Sequence, residues 1–139
     1  MLLLFFERSG KAMRRIVLDM QCNMFADAIF KALSESEPDF VILRSESPSQ
    51  TPGICKSGLA YAVIMEVTRY APWSLEERLK LCNKVKAQTP ECKVLLLVDE
   101  NADAELAEAV KQAKKDGLID NFIYASITSS YLAAVLDTL

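Results

Sequence analysis

The chain has 139 residues, of which 51% are hydrophobic and 25% charged, and a formal net charge of −3. That is the length of one domain with a single apolar core, and its charge gives no basic field for gripping phosphate backbones, which argues against direct nucleic-acid binding. The lack of histidine excludes Ser-His-Asp and Cys-His catalysis, histidine-ligated zinc and histidine phosphotransfer within this chain.

The opening run Met1-Leu2-Leu3-Leu4-Phe5-Phe6 is apolar but too short to span a bilayer, and Glu7 and Arg8 follow it where a cleavage site would stand. Met13 is a candidate start, leaving residues 1–12 as a tail or an extra edge strand and 13–139 as the domain. Arg15-Ile16-Val17-Leu18 reads as a buried strand ending at Asp19. Apolar residues from Met24 to Leu33 recur on one helical face, with Asn23 as the expected N-cap. Phe40 to Leu43 is a second strand. From Ser45 to Gly58 the prolines, Gly53 and serines predict a loop or one poor helical turn.

Residues 61–67, an unbroken apolar run apart from Glu66, predict a third strand buried on both faces. Ser74 and Glu77 have capping-box spacing for a helix whose apolar face is Leu75, Leu79, Cys82 and Val85. Val94 to Val98 is a second doubly buried strand, ending at Asp99. Asp103 opens a helix with acids early and Lys111, Lys114 and Lys115 late, which suits the helix dipole, and Gly117 is a natural C′ residue. Phe122-Ile123-Tyr124 is the fifth strand. Thr128 or Ser129 caps a last helix carrying Leu132, Val135, Leu136 and Leu139. The cysteines (Cys22, Cys55, Cys82, Cys92) have no CxxC spacing and read as small buried or half-buried hydrophobes in a reducing cytosol.

Strands alternating with helix-length connections imply right-handed crossovers and a parallel sheet covered on both faces. The fold expected is a three-layer α/β/α flavodoxin-like sandwich with five parallel strands in the order 2-1-3-4-5. Its functional crevice would lie at the carboxyl ends of the strands. There Asp19, Glu66 and Asp99 are candidates for an acidic pocket.

This succession of elements resembles the receiver domain of two-component response regulators, from about Met13 to the C-terminus. In that family the first strand ends in an acidic pair that holds Mg²⁺, and the third ends in the phosphoacceptor aspartate. The fourth ends in Thr or Ser, and the fifth carries Lys-Pro. Here the first acid matches Asp19, while the second falls on Met20, whose thioether is no ligand for Mg²⁺. The phosphoacceptor position falls on Glu66, the hydroxyl position on Val98 and the Lys-Pro pair on Ala125-Ser126, with the aromatic switch position kept as Phe122. Phosphoryl transfer needs cations and donors on the moving oxygens, and Val98 and Ala125 supply none.

The resemblance therefore implies a degenerate or pseudo-receiver: a stand-alone signalling module, not an enzyme, with no cofactor beyond at most weak Mg²⁺ binding. With Val98 in the hydroxyl position, ligand-driven coupling to Phe122 is expected to be absent. The expected location is cytoplasmic, with no membrane contact. A protein partner or a second copy would engage the face of the fourth helix, fifth strand and fifth helix, including Ala107, Val110, Phe122 and Tyr124. Two alternatives remain, an active atypical receiver phosphorylated in a phosphorelay and a small flavodoxin-like ligand-binding protein or enzyme. The scattered glycines and the turn Asp19-Met20-Gln21-Cys22-Asn23 oppose a phosphate-cradling loop.

Overall fold

Five strands, β1 (Arg14–Asp19), β2 (Phe40–Ser45), β3 (Ala62–Glu66), β4 (Lys93–Val98) and β5 (Asn121–Tyr124), pair in parallel in the order β2-β1-β3-β4-β5. The computed structural model describes residues 7–8, 11–36, 39–126 and 129–139. Glu7–Arg8 and Lys11–Ala12 pair antiparallel as a separate two-stranded sheet. Thr128, one of the two caps expected for the last helix, lies outside the described residues.

The central strands are apolar on both faces because both are covered. Val17, Val63, Met65, Val94, Leu96 and Val98 point into one layer, and Ile16, Leu18, Ala62, Ile64, Leu95 and Leu97 into the other. Among the described residues the helices are α1 (Asn23–Ser36), α2 (Thr51–Gly58), α3 (Leu75–Gln88), α4 (Ala104–Lys115) and α5 (Ser129–Asp137). α2, α3 and α4 cover the first layer, α1 and α5 the second. Truncating Ile64, Leu95 or Leu96 to alanine, each fully buried, would cost roughly 2–5 kcal/mol.

Several end signals act as the sequence suggests. Ser74 Oγ accepts from the Glu77 N–H at the start of α3. Asp103 caps α4 through the Leu106 N–H at 3.0 Å. Gly117, at φ 76°, closes α4 with the Leu118 N–H on the Ala113 carbonyl. Asn23 is instead the first helical residue of α1, and the Cys22 carbonyl accepts the first helical bond, from Ala26 N–H at 2.9 Å.

The larger correction is α2, where the sequence predicts a loop or one poor turn. Pro48–Gln50 form a 3₁₀ turn and Thr51–Gly58 a regular helix. Pro52 lies in the first turn, where its missing N–H has no intrahelical partner to lose. Thr51, Pro52 and Cys55 are buried against the sheet, and Leu59 in the left-handed region returns its N–H to Lys56 and Cys55. Gly58 permits this close approach, since a Cβ there would stand 3.0 Å from Leu43 Cδ1. Packing, not helical propensity, makes this helix. Among the described residues, no helix is long and apolar enough to cross a membrane.

Candidate functional site

Strand register decides what stands at the carboxyl ends. Asp19 pairs with Ser45 on one side and Met65 on the other, so β3 runs one residue further and ends on Glu66. Asp19 is 1% exposed. A buried carboxylate requires a partner, and α3 supplies it: Arg78, 0% exposed, places Nη1 2.7 Å from Asp19 Oδ2 and Nη2 3.2 Å from Oδ1. The same guanidinium donates to the Asp19 carbonyl at 3.1 Å and, through Nε, to the Glu66 carbonyl at 2.8 Å. Arg78 thereby ties the ends of β1 and β3 together.

The second oxygen cluster comes from α2. Thr51 Oγ1 donates to Asp19 Oδ2 at 2.6 Å and lies 2.7 Å from Ser45 Oγ, which reaches the Ser47 carbonyl. Ser45, Thr51, Asp19 and Arg78 form one buried polar chain.

Glu66 is half-buried, and its side chain reaches the turn that follows β1. Oε1 accepts from the backbone N–H of Gln21 at 2.8 Å and of Cys22 at 3.1 Å. These amides precede α1, so the carboxylate also meets the positive end of that helix.

Asp99 is exposed and serves its own loop, accepting from the N–H groups of Asn101 and Ala102 at 3.1 and 3.2 Å. Val98 is 1% exposed, and its carbonyl accepts the Ala125 N–H at 2.9 Å. Phe122 meets Tyr124 edge-on at 5.4 Å, and Lys114 Nζ lies 5.9 Å from the Phe122 ring centre. At the rim, Arg69 clasps Asp103 Oδ2 through Nε at 2.9 Å and Nη2 at 2.7 Å. The Leu106 N–H and Arg69 hold the Asp103 carboxyl below the usual carboxylate range. Ser126 donates to Glu100 at 2.6 Å.

The three acids proposed for one pocket are therefore divided. Asp19 borders a cleft of about 690 Å³ over β1 and β2, with Met20, Gln21, Arg44 and Trp73. Glu66 and Asp99 border another of about 360 Å³ over β3 and β4, with Thr68, Arg69 and Val98. Among the described residues, no group of three acidic or thiol side chains is arranged to hold a metal ion. The donor set does not fit Mg²⁺, which asks for near-octahedral oxygens. Asp19 is occupied by Arg78 and Thr51, the neighbouring side chain is the Met20 thioether, and Glu66 is held by amides.

Sequence reasoning missed Arg78. The signal was its place three residues after Leu75 and four before Cys82, inside the apolar stripe. The buried face of α3 is Arg78, Leu81, Cys82 and Val85, with Leu75 and Leu79 only partly buried. A second correction concerns the expected docking face. Ala107 and Val110 point into the core at 6% and 0% exposure, while Phe122 and Tyr124 are partly buried. The outward residues of α4 include Glu108, Gln112 and Lys115. In the β3–α3 loop, Tyr70 is 71% exposed and Trp73 is half-buried at the cleft.

No protein-family model matches the sequence, and no curated protein matches it. Solved structures do. A CheY-like response regulator receiver domain protein from Methanospirillum hungatei superposes with a TM-score of 0.71 at 11% identity, over 91% of this chain and 93% of that one. A response regulator from Thermotoga maritima gives 0.69 at 16% identity, over 91% and 96%. A response regulator from Desulfuromonas acetoxidans gives 0.64 at 19% identity, over 90% and 94%. With the sheet order and layers described above, the chain has the fold of CheY-like response-regulator receiver domains.

Proposed function

We propose that this protein is a pseudo-receiver: a signalling module that has lost the standard phosphorylation chemistry and acts through protein–protein contact. One observation carries the reading. Asp19, the one acid kept of the pair with which a working receiver holds a metal ion, is sealed beneath the surface by the Arg78 guanidinium. A fixed internal cation supplies the neutralising charge, so the strand ends hold together without an added ion.

Two further features support the reading. Glu66 has its carboxylate committed to the backbone amides of the β1–α1 loop. Val98 and Ala125 present no hydroxyl or ammonium to a phosphoryl group. The domain then works by shape rather than as an enzyme, and a protein partner or a second copy engages the α4–β5–α5 face. Glu108, Gln112 and Lys115 with the edge of Tyr124 are the groups available there.

Incubation with Mg²⁺ and acetyl phosphate, followed by intact-mass spectrometry, tests the proposal, and the mass is expected to stay unchanged. A stoichiometric phosphoryl adduct that disappears in Glu66→Gln would establish the atypical receiver instead. A small ligand-binding protein is the second reading, favoured by the cleft of about 690 Å³ beside Trp73. Trp73 is the chain's sole tryptophan, so saturable quenching of its fluorescence by a nucleotide or flavin would establish that reading.

A further inference from the structure

The cleft of about 690 Å³ over the ends of β1 and β2 is chemically one-sided. Arg44 is the one cation that lines it, and its guanidinium is already engaged by the exposed Asp27 carboxylate. Asp19 is neutralised by Arg78. Glu46, just past the end of β2, is exposed, and among the described residues its carboxylate has no hydrogen bond or ion pair. An anion entering here would find no free cation. The amides at the start of α1, which would suit an anion, are filled by Glu66. The charge left over in the cleft is therefore negative.

Trp73 supplies the second recognition element. It is half-buried and lines the same cleft as the Met20 thioether. Its loop is fastened, with the Thr68 N–H on the Trp73 carbonyl at 2.8 Å and the Trp73 N–H on the Tyr70 carbonyl at 2.9 Å. The same loop gives Tyr70, 71% exposed, to the neighbouring cleft of about 360 Å³. There too the lining cation, Arg69, is engaged, by Asp103.

An indole and a free carboxylate in one cleft are the chemistry that recognises a guanidinium. That flat, weakly hydrated cation stacks on a ring while its N–H groups donate to an acid. We propose that this cleft docks an arginine side chain presented by an extended segment of a partner protein, the guanidinium resting on Trp73 and donating to Glu46. The occupant is a peptide segment because one loop places an aromatic ring in each of two adjoining clefts, a surface that a chain can follow. This surface is distinct from the α4–β5–α5 face, so the proposal goes beyond the pseudo-receiver reading and either can fail alone.

The test titrates fluorescein-labelled hexaarginine with the full chain at low ionic strength and follows anisotropy. Saturable binding is expected, with hexalysine weaker because an ammonium cannot stack as a guanidinium does. Glu46→Lys and Trp73→Leu should each weaken binding about tenfold. Glu35→Lys makes the same charge change at the exposed far end of α1 and should weaken it less than about twofold. Equal losses in Glu46→Lys and Glu35→Lys would reduce the attraction to the diffuse field of an acidic protein and overturn the proposal. So would hexalysine bound as tightly as hexaarginine, or binding that Trp73→Leu leaves unchanged. Saturable quenching of Trp73 by ATP would also overturn it, by assigning the cleft to a small anionic ligand.

Discussion

The two halves of the strand-end surface are built on opposite principles. Over β1 and β3 the charge lies inside: Asp19 and Arg78 are buried, bonded to one another and to the backbone of both strands. Over β4 and β5 the interior is apolar, with Val98 beneath and the Phe122–Tyr124 pair beside it. The ion pairs there sit at the rim, as in Arg69–Asp103 with Arg69 63% exposed. A buried pair is costly to break and a rim pair is not. The first half is therefore tied together by a buried ion pair, whereas the second is held by apolar packing with its charges at the rim.

The largest effect should come from breaking the lock on one side. Arg78→Met leaves the Asp19 carboxylate buried without a countercharge and should cost about 3–5 kcal/mol, read from the urea midpoint. The double variant Asp19→Leu/Arg78→Met should cost much less, because replacing both ions by apolar groups of similar volume is often near neutral. A single-variant loss below about 1 kcal/mol would place the pair in the class of solvated surface bridges and erase the contrast between the halves.

The second half can be probed by giving Val98 the hydroxyl that a receiver would carry. Val98→Thr puts a hydroxyl at a position 1% exposed. Without a good partner that should cost about 1–3 kcal/mol, with no phosphoryl adduct gained on exposure to Mg²⁺ and acetyl phosphate. A stabilised variant would mean that a polar partner already waits there, and the half would no longer count as apolar.

What the sequence disclosed and what it hid divide along the same line. β1, β3 and β4 were legible because a doubly covered strand is a short continuous apolar run, and Asp19 and Glu66 stood visibly at the ends of two of them. Their partners were not legible. Arg78 on a helix reads as a solvated charge unless its place on the apolar stripe is weighed, and only the tertiary fold brings it to Asp19 across 59 residues of sequence. α2 was hidden for a related reason: its proline, glycine and serine argue against a helix locally, and buried Thr51 and Cys55 hold it from the other side of the chain's fold. The α4 face was misjudged because Ala107 and Val110 satisfy a surface-patch reading and a core reading equally well until the helix is set on the sheet.

The smallest effect belongs to the rim, and its pH dependence distinguishes a rim pair from a sealed one. The folded-state carboxyl of Asp103 lies below its ordinary value, held there by the Leu106 N–H and Arg69, while in the unfolded chain it titrates near 3.9. A group depressed in the folded state adds stability that is fully present above the unfolded value and is lost as pH falls through the folded one. Asp103→Asn keeps an oxygen for the Leu106 N–H, so the N-cap survives and the charge alone is removed. The variant should melt slightly below the parent at pH 7, should close that gap as the pH drops below about 4, and should also close it in high salt because the pair is exposed. A gap that persisted unchanged at low pH would show that the loss comes from a damaged cap rather than from the ion pair, and Arg69 would then have no part in fixing the start of α4.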